Sequence, residues 1–242
     1  KAKYDFFTRC QTPELAAAIT VMPIDQVGTD AAILFSDILV IPQAMDIAVE
    51  MKDGVGPWLP NPVRTAEDLA KVVVPDVEDR LHYVMEAIKQ TKLLLDDRVP
   101  LIGFAGAPWT IFSYMIEGQG SKTFSQAKRI LYSNPELAHE LLDRITNVTI
   151  TYLKHQIAAG ADIVQVFDSW AGTLGPKTYS EFGTKYVRRI CEAIQEVPVT
   201  VFSKGAYYAR EELAELDCQT IGLDWNMDIA ESRQIIGMDK TL

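Results

Sequence analysis

The sequence of 242 residues contains few cysteines, few histidines and no long apolar run. Its three cysteines are scattered and odd in number, which fits a reducing cytosol better than a disulfide framework. No run approaches the roughly 20 consecutive apolar residues that a membrane helix requires. The first twenty residues also lack the pattern of a signal peptide. We therefore expect a cytoplasmic protein without a membrane partner.

Several kinds of functional motif are absent as well. The three histidines, His82, His139 and His155, fall on predicted outer helices without metal-ligand spacing, and there is no Cys-x-x-Cys, so no protein-bound metal is expected. A Gly-x-Ser-x-Gly elbow for a serine nucleophile is also missing. The net charge is −10, and no basic run is interleaved with aromatic residues. Nucleic acid is therefore not an expected partner.

Apolar runs alternate with amphipathic segments along the chain, and each run is followed by small or polar residues. The runs predict strands at 31–35, 100–104, 163–167, 198–202 and 220–223. The predicted helices cover 1–27, 65–71, 76–96, 123–132, 135–159, 176–196, 208–216 and 228–236, and a Gly/Pro-rich loop with a hairpin lies near 53–62. This alternation is typical of a parallel sheet with helices outside it.

Five such units, and a sixth strand that begins at 239–242, fit a (β/α)₈ TIM-type barrel as one domain over residues 1–242. An open doubly wound sheet is the alternative. No glycine fingerprint for a dinucleotide follows the first strand, which weakens that alternative. Because the chain begins without methionine and ends within an apparent strand, we expect it to be part of a longer barrel, incomplete at both ends.

The segment from Leu101 to Lys122 is the one around which the other units are arranged. A short strand is followed by small residues at 105–107 and by Pro108, and an apolar helix then runs to a second glycine cluster at 118–120. Small residues between a strand and a helix let a ligand approach the backbone closely. Tyr114 lies on that helix, and on pattern alone a core tyrosine is the favoured interpretation.

Ionisable side chains end several predicted strands: Asp37, Asp168 with Ser169, Lys204 and Asp224. In a barrel these ends converge on one mouth, so the side chains could act together. The structural interpretation is that the acids cap helices or bind loop amides. Asp37 is the strongest functional candidate, because a carboxylate in an apolar setting is costly unless it meets donors or a cation.

Four long segments add a family resemblance that covers essentially the whole chain. The stretch GFAGAPWT…SYMIEGQGSK resembles the long signature of uroporphyrinogen decarboxylases. Three further segments agree in the same order: DAAILFSDILVIPQAM at 30–45, QVFDSWAGTLGP at 165–176 and IGLDWNMDIAESRQIIG at 221–237. Motifs of this length in one order are highly specific.

The resemblance implies a (β/α)₈ barrel that forms a homodimer in the cytoplasm or plastid. It implies decarboxylation of the four acetate groups of uroporphyrinogen III to coproporphyrinogen III, on the tetrapyrrole (haem) pathway, with no metal and no organic cofactor. The family pattern places the catalytic carboxylate at Asp37 and substrate-binding groups at Asp37, Tyr114 and Ser169. Phe35 and Phe104 are expected to line the apolar part of the cleft.

Two family segments have no counterpart in these residues: the arginine-bearing R-Q-A-G-R-Y arm and the later strand with a substrate-binding histidine. We therefore expect residues 1–242 alone to be inactive toward uroporphyrinogen. Two alternatives remain open. One is a cobamide-dependent methyltransferase of the same superfamily, whose zinc is bound by His and Cys, although no cysteine ends a predicted strand here. The other is a non-catalytic tetrapyrrole-binding relative.

Overall fold

The computed structural model describes residues 4–242, which form one parallel sheet surrounded by helices. The strands are β1 (Ala32–Ile33), β2 (Glu50–Lys52), β3 (Gly56–Trp58), β4 (Leu101–Gly106), β5 (Ile163–Asp168), β6 (Val199–Ser203) and β7 (Thr220–Gly222). Within the described residues the sheet has five strands in the order β1-β4-β5-β6-β7, and β2 and β3 form the separate predicted hairpin. All neighbouring pairs in the main sheet are parallel.

Helices connect these strands, as the alternation of apolar and amphipathic segments predicts. They are α1 (Phe6–Gln11), α2 (Pro13–Val27), α3 (Val40–Ala44), α4 (Ala66–Leu69), α5 (Val77–Leu95), α6 (Pro108–Glu117), α7 (Ser125–Ser133), α8 (Pro135–Ala159), α9 (Pro176–Tyr179), α10 (Lys185–Ala193), α11 (Arg210–Ala214) and α12 (Ile229–Ile236). The longest, α8, has the predicted signals at both ends. Asn134 caps its first turn, and Gly160 ends it in the left-handed conformation at φ 119°.

The two faces of the sheet have different surroundings. Gly103 of β4 pairs with Val164 of β5, and a Cβ on Gly103 would meet Gln156 of α8. That face therefore packs against the helices, and its residues are fully buried. Alternate residues such as Gln165 and Phe167 lie on the interior face and are half-buried. Asp168 falls on the helix-facing side, where it pairs with Ser203 of β6.

Several predicted element boundaries were wrong, and tertiary contacts explain them. The segment predicted as one helix over 1–27 is divided at Thr12, which is extended, and residues 1–3 lie outside the described part. The first strand is shorter than the predicted 31–35, because the Phe104 N–H of β4, which would continue the ladder to Leu34 O, donates to Gln156 Oε1 at 2.9 Å. The Phe35 N–H faces away from β4 and donates to the Thr20 hydroxyl at 2.8 Å.

The helix predicted over 176–196 contains a π-helical turn at Ser180–Thr184 and ends at Ala193. A Cβ on Gly183 in that turn would lie 2.3 Å from the Tyr179 ring. The glycine therefore lets the ring rest against the backbone. This packing fixes Tyr179, whose hydroxyl reaches Asp168.

The start of a sixth strand is confirmed. Thr241 forms a parallel bridge with Thr220, the Ile221 N–H donates to Thr241 O at 3.0 Å, and the Thr241 N–H donates to Gln219 O at 2.9 Å. Over residues 4–242 the sheet curves through five strands and this bridge without closing, so β1 forms its other edge.

Candidate active site

Asp37 follows β1, beyond the carboxyl end of that strand, and its side chain is half-buried. One carboxylate oxygen accepts the Leu39 N–H at 2.7 Å. No lysine, arginine or histidine among residues 4–242 forms an ion pair with it. Burial raises the pKa of Asp37, while the Leu39 amide opposes that rise. The carboxylate therefore keeps most of its capacity to accept hydrogen bonds.

The groups that feel the charge of Asp37 are neutral at pH 7. Burial, aided by the Asp37 charge, raises the pKa of Cys10 to about 12. Burial is also the first cause that raises the pKa of Tyr83, Tyr114 and Tyr152, and the Asp37 charge adds a smaller contribution to each. Asp37 thus lies among hydroxyl and thiol groups that can donate hydrogen bonds but cannot cancel its charge.

Tyr114 belongs to an aromatic cluster that we define as Tyr114, Phe124 and Trp170. The Tyr114 ring meets the rings of Phe124 and Trp170 edge-on, with centroids 6.2 and 6.0 Å apart, and Phe124 lies 4.7 Å from Trp170. The Trp170 indole lowers the pKa of Tyr114 in opposition to burial. Tyr114 is therefore half-buried against the core and lies within the electrostatic range of Asp37.

Ser169 is the first residue after β5 and is half-buried. Its hydroxyl makes no hydrogen bond with any residue of the described range 4–242, so it is available to a ligand. Its neighbour Trp170 contacts Tyr114, which ties the Ser169 loop to the aromatic cluster.

Phe35 and Phe104 line a cavity of about 460 Å³, which is mostly apolar and runs along β1 and the interior face of the sheet. Phe167 lines the same cavity and meets Phe104 edge-on at 5.6 Å. Phe167 was not among the residues expected from the sequence to line the cleft. Its place two residues after Gln165, on the interior face by the period of a strand, is the signal that could have found it.

The remaining strand-end candidates do not join Asp37. Asp168 is fully buried on the helix-facing side of β5, and Asp224 is buried and accepts the Gly205 N–H. Both acids follow the structural interpretation, in which carboxylates bind hydroxyls and loop amides. Lys204 is exposed and lies 5.7 Å from the ring of the exposed Trp225.

Ser36, the residue before Asp37, lines the apolar cavity, and the Asp37 carboxylate has no cation partner among residues 4–242, so it is suited to accept N–H groups of a ligand. Such a carboxylate can accept those hydrogen bonds and stabilise a positive charge that develops during a reaction. Within residues 4–242, no cluster of His, Cys, Asp or Glu is arranged to hold a metal, and no helix is long and apolar enough to cross a membrane.

Parallel strands with outer helices, and polar side chains beyond their carboxyl ends, define a barrel-type α/β fold. The family model for "Uroporphyrinogen decarboxylase (URO-D)" matches residues 1–242. The chain belongs to the uroporphyrinogen decarboxylase family, a family of decarboxylases. The resemblance found in the four sequence segments is thereby confirmed.

Curated relatives agree. The chain is 57% identical to the uroporphyrinogen decarboxylase of Christiangramia forsetii, covering 100% of this chain and 71% of that protein. It is 50% identical to the enzyme of that name from Chloroherpeton thalassium, covering 97% of this chain and 67% of that protein. The methyltransferase alternative is therefore not favoured.

Solved structures agree on the fold. A methyltransferase from Methanosarcina mazei superposes with a TM-score of 0.77 at 19% identity, covering 95% of this chain and 68% of that one. A B12-independent methionine synthase from Shewanella superposes with a TM-score of 0.57 at 12% identity, covering 87% of this chain and 62% of that one. At these identities the likeness concerns the fold alone.

Proposed function

We propose that this protein decarboxylates the four acetate side chains of uroporphyrinogen III to give coproporphyrinogen III, without a metal or organic cofactor. Membership of the family supports the reaction. The observation that carries the site assignment is Asp37, a half-buried carboxylate with a single N–H donor and no cation among the described residues.

Decarboxylation of a pyrrole acetate needs an electron sink. Protonation of the pyrrole ring at carbon makes a cation, and the electrons of the breaking C–C bond flow into that cation as carbon dioxide leaves. A second proton then adds to the resulting exocyclic methylene carbon to give a methyl group, and the ring carbon loses the first proton, which restores the aromatic pyrrole; in the net reaction one proton replaces each carbon dioxide. Asp37 supplies the fixed negative charge that accepts pyrrole N–H hydrogen bonds and stabilises the cation. The attraction exceeds the ~1 kcal/mol expected at 4 Å in bulk water, because the site is shielded.

Tyr114 and Ser169 are assigned different roles within this site. Ser169 has a hydroxyl without a partner among residues 4–242, which suits a hydrogen bond to a substrate carboxylate. Tyr114 lies within the field of Asp37 and is neutral, so its hydroxyl orients Asp37 or meets a second carboxylate. The rings of Phe35 and Phe104 form the apolar wall against the macrocycle.

The charge role of Asp37 is tested by Asp37→Asn in the full-length gene product. The amide keeps the shape but loses the charge, so we expect kcat/KM for uroporphyrinogen III to fall by at least about 100-fold. Asp30→Asn is the matched control, because Asp30 is an exposed acid at the other end of β1 and its loss changes the net charge equally. Wild-type kcat/KM in Asp37→Asn would rule out the charge role.

Assays on the full-length protein distinguish the decarboxylase from the two alternative functions. Formation of coproporphyrinogen excludes a non-catalytic tetrapyrrole-binding protein, and stoichiometric zinc by elemental analysis would favour a methyltransferase. We further infer a cytoplasmic homodimer, which the family resemblance and three buried unpaired thiols support. Light scattering on the full-length protein should give twice the mass of one chain.

A further inference from the structure

Asp168 is a fully buried carboxylate that the decarboxylation does not use. It forms no ion pair within residues 4–242, and three of its partners are hydroxyl or amide groups. The Thr110 hydroxyl donates to one oxygen at 2.6 Å, and the Tyr179 hydroxyl donates to the other at 2.9 Å. Burying such a group without a cation is costly, and an apolar residue of similar volume would often serve stability better.

The hydroxyl hydrogens around Asp168 have fixed directions. Because Tyr179 has only one hydroxyl hydrogen, which goes to Asp168, the contact of 2.9 Å between Tyr179 and Ser203 requires Ser203 to donate. Thr110 likewise directs its hydrogen to Asp168, which leaves its oxygen free to accept. That oxygen accepts the Trp170 N–H at 3.2 Å. The carboxylate therefore orients a hydrogen bond one residue beyond Ser169.

This bond is part of a set that holds the loop after β5, defined here as Ser169–Thr173. The Trp109 indole donates to Trp170 O at 3.0 Å. The Lys204 N–H donates to Asp168 O at 3.0 Å, and the Gly172 N–H donates to Lys204 O at 2.8 Å. The loop is thus bound on one side by Trp109 of α6 and on the other by Lys204, the residue after β6. The Asp168 side chain binds Thr110 of α6 and Tyr179 of α9, and Thr110 in turn binds the Trp170 N–H of the loop.

We propose that Asp168 is a positioning residue: through Thr110 and Tyr179 it fixes the Ser169–Thr173 loop so that the Ser169 hydroxyl can bind a substrate carboxylate. The proposal rests on the proposed function, because Ser169 is assigned there as a substrate-binding group. Asp168 itself touches neither substrate nor reacting atoms, since it lies behind the sheet on its helix-facing side.

Four variants of the full-length protein test this network. Thr110→Val removes the acceptor of the Trp170 N–H, and Asp168→Ala removes the carboxylate that directs the Thr110 and Tyr179 hydroxyl hydrogens. Asp168→Asn and Thr110→Ser are the conservative pair. An asparagine can still accept from Thr110, and its amide can donate to Tyr179, which then turns its hydrogen to Ser203. A serine keeps the hydroxyl.

Asp162→Ala is the matched control. Asp162 precedes the same strand β5 at its amino end, where it binds Lys92 at 2.9 Å and the Leu101 N–H at 2.7 Å. Its removal should cost stability without reaching the loop. It therefore separates general destabilisation from loss of positioning.

The first readout is amide hydrogen exchange in a peptide covering 169–175, which is independent of activity. Exchange should be faster in Asp168→Ala and Thr110→Val, and close to wild type in the conservative pair and in Asp162→Ala. The second readout is kinetic. KM for uroporphyrinogen III should rise about tenfold in the two breaking variants, with kcat changed less than about threefold, because a misplaced Ser169 loses ground-state and transition-state binding together.

The outcomes separate this proposal from the proposed function. If Ser169→Ala raises KM but Asp168→Ala and Thr110→Val do not, the positioning role is wrong while the site assignment stands. If Asp168→Asn is as impaired as Asp168→Ala, the charge rather than the geometry matters, and the proposal is also wrong. If Ser169→Ala has no effect, the assignment of Ser169 fails, and the exchange rates still decide whether Asp168 holds the loop. Should Asp168→Ala not fold, the Thr110 pair carries the same test.

Discussion

At the scale of single residues, Asp37 and Asp168 show how the same side chain acquires two roles near one edge of a sheet. Asp37 stands in a loop beyond β1, where it accepts the Leu39 N–H and has no cation partner among residues 4–242, and the preceding residue Ser36 lines the apolar cavity. Asp168 is the last residue of β5, and the two-residue period of the strand turns it toward the helices. There burial raises its pKa to about 6, against the opposing effect of the Thr110 and Tyr179 hydroxyls.

Tyr114 should contribute through its hydroxyl rather than its ring. In Tyr114→Phe the contacts with Phe124 and Trp170 remain, since both are made by the ring. We expect kcat/KM for uroporphyrinogen III to fall about tenfold, the usual effect of one hydrogen bond to a charged group, with little change in thermal stability. Steady-state kinetics and a melting curve measure both quantities.

Tyr132→Phe serves as the control for Tyr114→Phe. Tyr132 is an exposed tyrosine whose hydroxyl lies 3.2 Å from Thr178 Oγ1, on the outside of the barrel. Equal losses of kcat/KM in the two variants would contradict a role of Tyr114 in the site.

How far the residues of the site can be predicted depends on what fixes them. An acid in an apolar run is a local signal, so Asp37 could be singled out from the sequence alone. The exposure of Tyr114 depends on Trp170 and Phe124, which lie on other segments, and the pattern of its own helix predicted a core residue. The assignment of Tyr114 to the site comes from the family resemblance and stays a prediction. Phe167 was missed although the strand period places it on the interior face.

At the scale of elements, local signals located the helices that carry their own caps. α8 is the clear case, because Asn134, Pro135 and Gly160 mark both of its ends in the sequence. The π-helical turn at Ser180–Thr184 could not be predicted, since it depends on Tyr179 reaching across to Asp168. The shortened strand β1 likewise depends on Gln156 of α8, which accepts the Phe104 N–H that would have continued the ladder.

Helix α7 provides a test at this scale, because its cap comes from another helix. Phe124 at its N-cap is left-handed at φ 47° and provides no side-chain cap. Instead Glu117, at the end of α6, accepts the N–H groups of Gln126 and Ala127 at 3.0 and 3.2 Å. Glu117→Ala should lower the free energy of unfolding by about 1–2 kcal/mol, with Glu117→Gln in between, as measured by urea denaturation.

Glu136→Ala is the control for the Glu117 prediction. Glu136 lies in the first turn of α8, is exposed, and forms no hydrogen bond or ion pair within residues 4–242. A loss of a few tenths of a kcal/mol is expected there from the helix dipole alone. If both alanine variants lose the same stability, the capping role of Glu117 is wrong.

At the scale of the whole molecule, the sheet of residues 4–242 has two unpaired edges. One is β1, where Ile33 is 44% exposed, and the other is the bridge at Thr241. Unpaired edges with apolar side chains promote association between chains. The alternation of strands and helices predicted the curved parallel sheet correctly, but it does not specify what covers these edges, because closure depends on contacts between distant segments.

We therefore predict that a polypeptide of residues 1–242 alone associates and does not turn over uroporphyrinogen III. The eight carboxylates of the substrate are repelled by a chain of net charge −10. Charges beyond ~8 Å are screened at physiological salt, so binding depends on cations close to the site. Within residues 4–242 no cation pairs with Asp37, and Arg9, whose guanidinium carbon lies 5.8 Å from the Phe35 ring, is a single positive charge near the cavity.

The measurement compares this polypeptide with the full-length gene product at equal molar concentration. Light scattering should show a concentration-dependent rise in mass for residues 1–242, and chromatography of the oxidised porphyrins should show no coproporphyrin above the no-enzyme control. Formation of coproporphyrin by residues 1–242 would show that the described groups suffice to bind the carboxylates. In that case Arg9→Gln would be the variant to examine, because it removes the positive charge that lies near the Phe35 ring at the cavity.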